Sequence, residues 1–214
     1  MDPGVFDIGL FLKGALLGFS IAAPVGPIGV LCIRRTLARG MVSGFVSGLG
    51  AATADGIYGA IAAFGLASLT GFLVSVNLLM RIAGGVFLLW LGWKTISRKP
   101  QDQHQEGDAP SGAASLAGNF VSTFFLTLTN PMTIISFTAI FMGVGLVNDG
   151  TRALQPLFLV AGVFSGSAAW WLGLSAFFSL FRRHLTPVAM TWINRLSGAV
   201  LTLFGALVLF EILV

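Results

Sequence analysis

The chain has 214 residues, of which 56% are hydrophobic and only 9% charged, with a mean hydropathy of +0.91 and a formal net charge of +4. Such a composition leaves too little polar surface to clothe a water-soluble domain, so the solvent for most of this chain is lipid. The basic balance would suit a nucleic-acid binder, but the positions of the charges, taken up below, assign it to membrane topology instead.

A spanning helix needs roughly 20 mainly apolar residues. Stretches of that kind are predicted over 9–33, 41–69, 72–96, 118–146, 154–178 and 187–213. The alternating ten-residue segments of a membrane β-barrel are absent.

The first stretch is preceded by Asp2 and Asp7 rather than a basic run and continues past Ala23. It is therefore expected to be a retained span, not a signal peptide. Within it stands Ala22-Ala23-Pro24-Val25-Gly26-Pro27. Each proline lacks an N–H and crowds the carbonyl four residues back, which frees the carbonyls of Ser20 and Ala23. Val25-Gly26 is disfavoured as regular helix, so the span is expected to kink or break here. In lipid the freed carbonyls need protein or a watery cavity, which places such a break at a helix interface or pathway. Cys32 is the one cysteine; it can form no internal disulfide and is expected to pack near a helix end.

The second stretch carries Asp55, the one acid well inside a span, with Tyr58, the one tyrosine, three residues on and so on the same face. An aspartate at the centre of a spanning helix costs roughly 2.5–3.5 kcal/mol on insertion scales, so it should face inward with a proton or a partner. Three roles compete: proton carrier, ligand for a substrate ammonium, and counter-ion to an arginine such as Arg34.

The third stretch ends in a polar segment, 97–117, whose mixed charge and lack of periodicity predict a flexible linker. The fourth stretch contains Thr127-Leu128-Thr129-Asn130-Pro131. This is a second proline break, with Thr and Asn side chains able to bond the freed Thr127 carbonyl. Two breaks at matching depth point to a midplane site, whereas packing alone would suffice to explain one. Small residues at four-residue spacing, Gly14 and Gly18, Gly44 and Gly48, Gly162 and Gly166, are expected to let helix backbones approach closely. Trp170-Trp171 in the fifth stretch is expected to lie deeper than the interfacial Trp90, Trp93 and Trp192.

In a six-span arrangement Arg34, Arg35, Arg39, Lys94, Arg98, Lys99, Arg182, Arg183 and Arg195 fall on one side, and Lys13, Arg81 and Arg152 on the other. The first side is then cytoplasmic and both termini lie outside. The linker separates a first three-helix repeat, 1–96, from a second, 118–214. Arg81-Ile82-Ala83-Gly84 matches Arg195-Leu196-Ser197-Gly198 at an offset of 114, as Gly48 matches Gly162, and Ala23-Pro24 faces Asn130-Pro131 at an offset of 107. Three spans is an odd number, so the second copy would enter from the opposite side. The expected fold is an all-α integral membrane protein of six transmembrane helices in two inverted repeats, an architecture common among secondary transporters.

Enzymatic readings fare poorly. A lone cysteine cannot do dithiol chemistry, both histidines (His104 and His184) fall in the cytoplasmic segments, no phosphate-binding loop occurs, and no residues carry metal-ligand spacing. No cofactor or metal is expected, and energy should come from a gradient or another chain.

Along nearly its whole length the chain resembles the LysE/RhtB superfamily of amino-acid exporters. The resemblance rests on Ala23–Pro27, the glycine-rich second span with Asp55, the run from Leu79 to Lys94, and Phe120 through Asn130-Pro131-Met132-Thr133 after a polar linker. Two departures stand out: Val25 is inserted into the family's Pro-Gly-Pro, and Met132 replaces a lysine often found after Asn-Pro. The resemblance implies a multi-pass protein of a bacterial inner membrane that exports amino acids or related small solutes. It implies protons as driving partner, and often a homodimer. A cation or other small-solute carrier of the same superfamily, or a non-transporting scaffold, is the alternative. The expected substrate and ion pathway comprises Pro24, Gly26, Pro27, Asp55, Tyr58, Thr127, Asn130 and Pro131.

Overall fold

A computed structural model describes residues 7–24, 26–63, 77–97, 112–130, 133, 136–137 and 155–213. Their regular structure is helical. Seven α-helices run in the order α1 (Ile8–Ala22), α2 (Pro27–Arg39), α3 (Met41–Ala63), α4 (Asn77–Ile96), α5 (Ala113–Leu128), α6 (Gln155–Phe181) and α7 (Pro187–Leu213), with a 3₁₀ turn at Arg182–His184 before α7. Asp7 caps α1 by accepting a 3.0 Å hydrogen bond from the Leu10 N–H, which satisfies one of the donors that a helix start leaves free.

The first expected span is two helices. α1 ends before Pro24, α2 begins at Pro27 in the favoured first helical position, and their axes meet at 84°. Two sequence expectations are corrected by the run of α2 to Arg39. Cys32 lies part-way along this helix, fully buried, rather than at a helix end. Arg34 and Arg35, beyond the expected end of the first span at residue 33, belong to α2 and are buried within the helix packing. Nine of the thirteen α2 residues are buried, so the helix is enclosed on nearly every side. Gly40, with φ +94°, then turns the chain into α3, and its N–H closes α2 on the Thr36 carbonyl at 2.8 Å.

The other boundaries move less. α5 begins at Ala113, so the last residues of the expected linker are helical; α6 extends to Phe181, and α7 has the expected ends. Among the described residues two helices, Pro156–His184 and Val188–Ile212, are long and apolar enough to cross a membrane, or three spans if the bent pair α1–α2 counts as one.

Packing joins α1 to α6, α6 to α3, α3 to α5, and α4 to α7, with α2 wedged against α3, α6 and α7. The seam between α1 and α6 is backbone against backbone. A Cβ at Gly14 or Gly18 would strike the carbonyls of Leu159 or Val163, and one at Gly162 or Gly166 would strike those of Phe11 or Ala15. In lipid, where apolar side chains gain nothing by leaving the solvent, such close contact is what holds helices together. A shared core of Ala22, Leu31, Cys32, Ala51, Leu88, Leu126, Trp171 and Leu201 draws on all seven helices. An Arg81–Glu211 ion pair ties α4 to the end of α7. Exposed leucines, phenylalanines and Trp90, Trp93 and Trp192 cover the outside.

Candidate functional site

Across the break between α1 and α2, Ala23 keeps helical dihedrals and Gly26 is extended. Gly26 has φ −103° and ψ −161°, and no side chain caps the helix that follows. The first N–H groups of a helix have no partner within it. Pro27 has none to offer, which leaves those of Ile28 and Gly29 at the start of α2. Before the break, the Ala23 N–H closes α1 on the Phe19 carbonyl at 3.0 Å.

The second break is built differently. After Leu128 the α5 ladder stops, and local groups take over its loose ends. The Asn130 N–H bonds the Thr127 carbonyl at 3.2 Å and the Thr133 N–H bonds the Asn130 carbonyl at 3.1 Å. The Asn130 side chain donates to Thr133 Oγ1 at 3.0 Å, and Thr129 Oγ1 donates to the Phe125 carbonyl at 2.9 Å. The Thr127 carbonyl is thus met by backbone rather than by the side chains that the sequence suggested. Tyr58 on α3 donates its hydroxyl to the Leu128 carbonyl at 2.5 Å, fastening this break to α3.

Between the two breaks lies a cavity of about 60 Å³, room for a few water molecules. Its lining includes Pro24, Gly26, Pro27, Ile28 and Gly29 from the first break, Thr127, Asn130 and Thr133 from the second, Asp55 and Ala51 from α3, and Trp171 from α6. Six of the eight residues singled out from the sequence therefore share one cavity. Tyr58 sits beside it, its ring 5.5 Å from that of Phe137. Pro131 lies outside the described residues.

Asp55 is 3% exposed. Its Oδ2 accepts a 2.7 Å hydrogen bond from Ser167 Oγ on α6, and among the described residues it forms no ion pair. Arg81, a cation that could have answered it, is paired with Glu211. Among the described residues, one oxygen of the carboxyl group is thus committed to Ser167 and the other has no partner.

Arg35 holds the geometry from behind. Its guanidinium donates to Ser47 Oγ on α3 at 3.0 Å and, on α5, to the Asn119 carbonyl at 2.9 Å, Thr123 Oγ1 at 2.8 Å and Ser122 Oγ at 2.8 Å. Asn119 in turn donates to Ser43 Oγ at 2.8 Å. A buried guanidinium is costly unless its donors are met, and meeting them locks α2 against both neighbours.

Sequence reasoning missed three of these residues. Arg35 is obscured by its neighbours Arg34 and Arg39, which make it look like loop charge. Ser167 stands 114 residues after Thr53, the offset that also relates Gly48 to Gly162 and Arg81 to Arg195, and so could have been found as a hydroxyl at an equivalent position. Trp171 reads as deep but without a role.

The sequence profile of the LysE type translocator family matches residues 19–211. The chain belongs to this family. Its members are membrane translocators rather than enzymes. The chain is 30% identical to the uncharacterized membrane protein YahN of Escherichia coli (strain K12), over 99% of this chain and 92% of that protein. It is 24% identical to the threonine efflux protein of the same organism, over 92% and 95%. To the leucine efflux protein of Enterobacter sp. (strain 638) it is 28% identical, over 71% of each. No solved structure matches this LysE-type chain.

Proposed function

We propose that this translocator exports amino acids or closely related solutes through the cavity between its two helix breaks, driven by the proton motive force. The observation that carries this reading is that both breaks and the one intramembrane aspartate line the same small cavity. Broken helices expose backbone polar groups to a solute, and an intramembrane carboxyl group can hold either a proton or a solute ammonium. Because Asp55 cannot hold both, proton entry would release the solute and solute entry would release the proton. That exclusion is the coupling. The efflux relatives point to the same cargo class.

The proposed frame is six spans in two inverted repeats, with both termini outside and the linker in the cytoplasm. The packing supports it: exchanging α1 with α5 and α3 with α6 turns the α1–α6 contact into the α5–α3 contact and maps α3–α6 onto itself. Cysteines placed at Asp2 and Gln105 should label from opposite sides of the membrane; labelling from one side would remove this frame.

The function is tested by loading proteoliposomes with each of the labelled common amino acids and imposing a proton gradient. Efflux of at least one that accelerates with the gradient is expected. Efflux of none of them, from protein shown to be folded, would overturn the reading.

A further inference from the structure

Within that cavity the chemistry is polarised, and this allows the orientation of the solute to be read. One wall carries Asp55, an acceptor whose protein donor among the described residues is Ser167. Another carries donors. The start of α2, a thirteen-residue helix whose N-cap Gly26 has no side chain, presents the Ile28 and Gly29 N–H groups together with the positive end of the helix dipole. Trp171, 4% exposed, lines the same cavity, and its indole N–H, like that of Trp170 away from the cavity, is buried without a partner among the described residues. A buried indole N–H left unsatisfied is uncommon, because it forfeits the hydrogen bond it had in water. Donors at a helix start with no partner among the described residues, together with an unpartnered indole, call for an anion, which a neutral amine or a metal cation would not supply.

We propose that the cavity holds a zwitterion in one fixed orientation, with its carboxylate on the Ile28 and Gly29 N–H groups and the Trp171 indole and its ammonium toward Asp55. This rests on the export reading above and deepens it. The α-carboxylate is then a required part of the cargo, and amines or amides of the same side chain are rejected even though Asp55 would accept them.

Gly26 makes a clean test. A Cβ there would meet nothing within 4 Å, and its φ is open to any residue. Aspartate at this N-cap would accept the Ile28 or Gly29 N–H with its own side chain, as capping aspartates do, and would occupy the carboxylate position from within. The purified full-length protein is first screened for equilibrium binding of the twenty common amino acids. The tightest binder is then compared with its C-terminal amide on wild type, Gly26→Asp, Gly26→Ala and Trp171→Phe.

On wild type the amide should bind at least about tenfold more weakly than the acid, the loss of charge-assisted hydrogen bonds. Gly26→Asp should weaken the acid at least about tenfold more than Gly26→Ala does, while the amide changes by less than about threefold. Trp171→Phe should likewise weaken the acid more than the amide. An amide that matches the acid on wild type would overturn the orientation whatever the variants do, so the test survives a variant that fails to fold. Equal losses of acid and amide in folded Gly26→Asp would overturn it too, leaving the export reading in place. If wild type binds none of the twenty amino acids, the export reading falls and this inference with it.

Discussion

Helices α1 and α6 treat space in two opposite ways along their length. In the seam, Gly14 and Gly18 lie against the backbone at Leu159 and Val163, and Gly162 and Gly166 against that at Phe11 and Ala15, so closely that no side-chain atom would fit between them. A few residues further on, α1 stops at Ala22, the packing opens, and Trp171 of α6 borders a cavity instead. Because lipid tails are as apolar as the helices, tight contact is the main glue in a bilayer. Contact is given up only where something else must fit. On the function proposed above, the seam is the static part of the protein and the cavity its working part.

Four measurements would break or sharpen that contrast. The largest effect should fall on function, at the cavity. Asp55→Asn keeps the shape and the Ser167 contact but cannot cycle a charge. Gradient-driven export should be abolished, and binding of an ammonium-bearing solute weakened by roughly 10 to 150-fold, equivalent to about 1.5–3 kcal/mol, while the protein still folds. Gradient-driven export at the wild-type rate from folded Asp55→Asn protein would refute its role as carrier.

Next comes the device that holds the cavity wall. Arg35→Ala removes a guanidinium bonded to Ser47, Asn119, Ser122 and Thr123, so unfolding in detergent should become easier by about 3 kcal/mol. A loss below about 1 kcal/mol would mean that these bonds only decorate the packing.

The same substitution made in both regions gives the direct comparison. Gly18→Ala drives a methyl group into the Val163 carbonyl and should cost about 1–3 kcal/mol. Gly26→Ala, in open space, should change stability by no more than about 0.5 kcal/mol. Equal costs in a thermal-unfolding assay would erase the distinction between seam and cavity.

The last measurement falls on the second break. Tyr58→Phe removes the donor to the Leu128 carbonyl and should cost about 1 kcal/mol. Because Tyr58 lies beside the cavity, solute affinity should change less than with Asp55→Asn, and an equal drop would place Tyr58 in the binding site itself.

What can be read from the sequence follows from how local each cause is. Prolines act on the carbonyl four residues back, so Pro24, Pro27 and Asn130-Pro131 by themselves mark both breaks. Glycine spacing is a property of one helix surface, and it announces the seam. The depth of Asp55 follows from the cost of a charge in lipid. Arg35 is misread because its meaning is not local: the helix continues past Ile33 only when α3 and α5 offer it the acceptors Ser47, Asn119, Ser122 and Thr123. The match of Ser167 to Asp55 spans 112 residues and depends on α3 lying against α6. Trp171 differs from Trp170 only in the face of α6 that it occupies, which a nearly uniform apolar helix does not declare. Trp170 instead packs edge-to-face on Phe19, ring centres 5.2 Å apart.

The five tryptophans also divide by surroundings: Trp171 borders the cavity, whereas Trp90, Trp93 and Trp192 face outward. Brominated lipids should therefore quench the emission of the outer three and spare Trp171. What light remains would come mainly from the cavity, with a share from half-buried Trp170, so the wild-type chain can report occupancy of its own cavity without any attached dye.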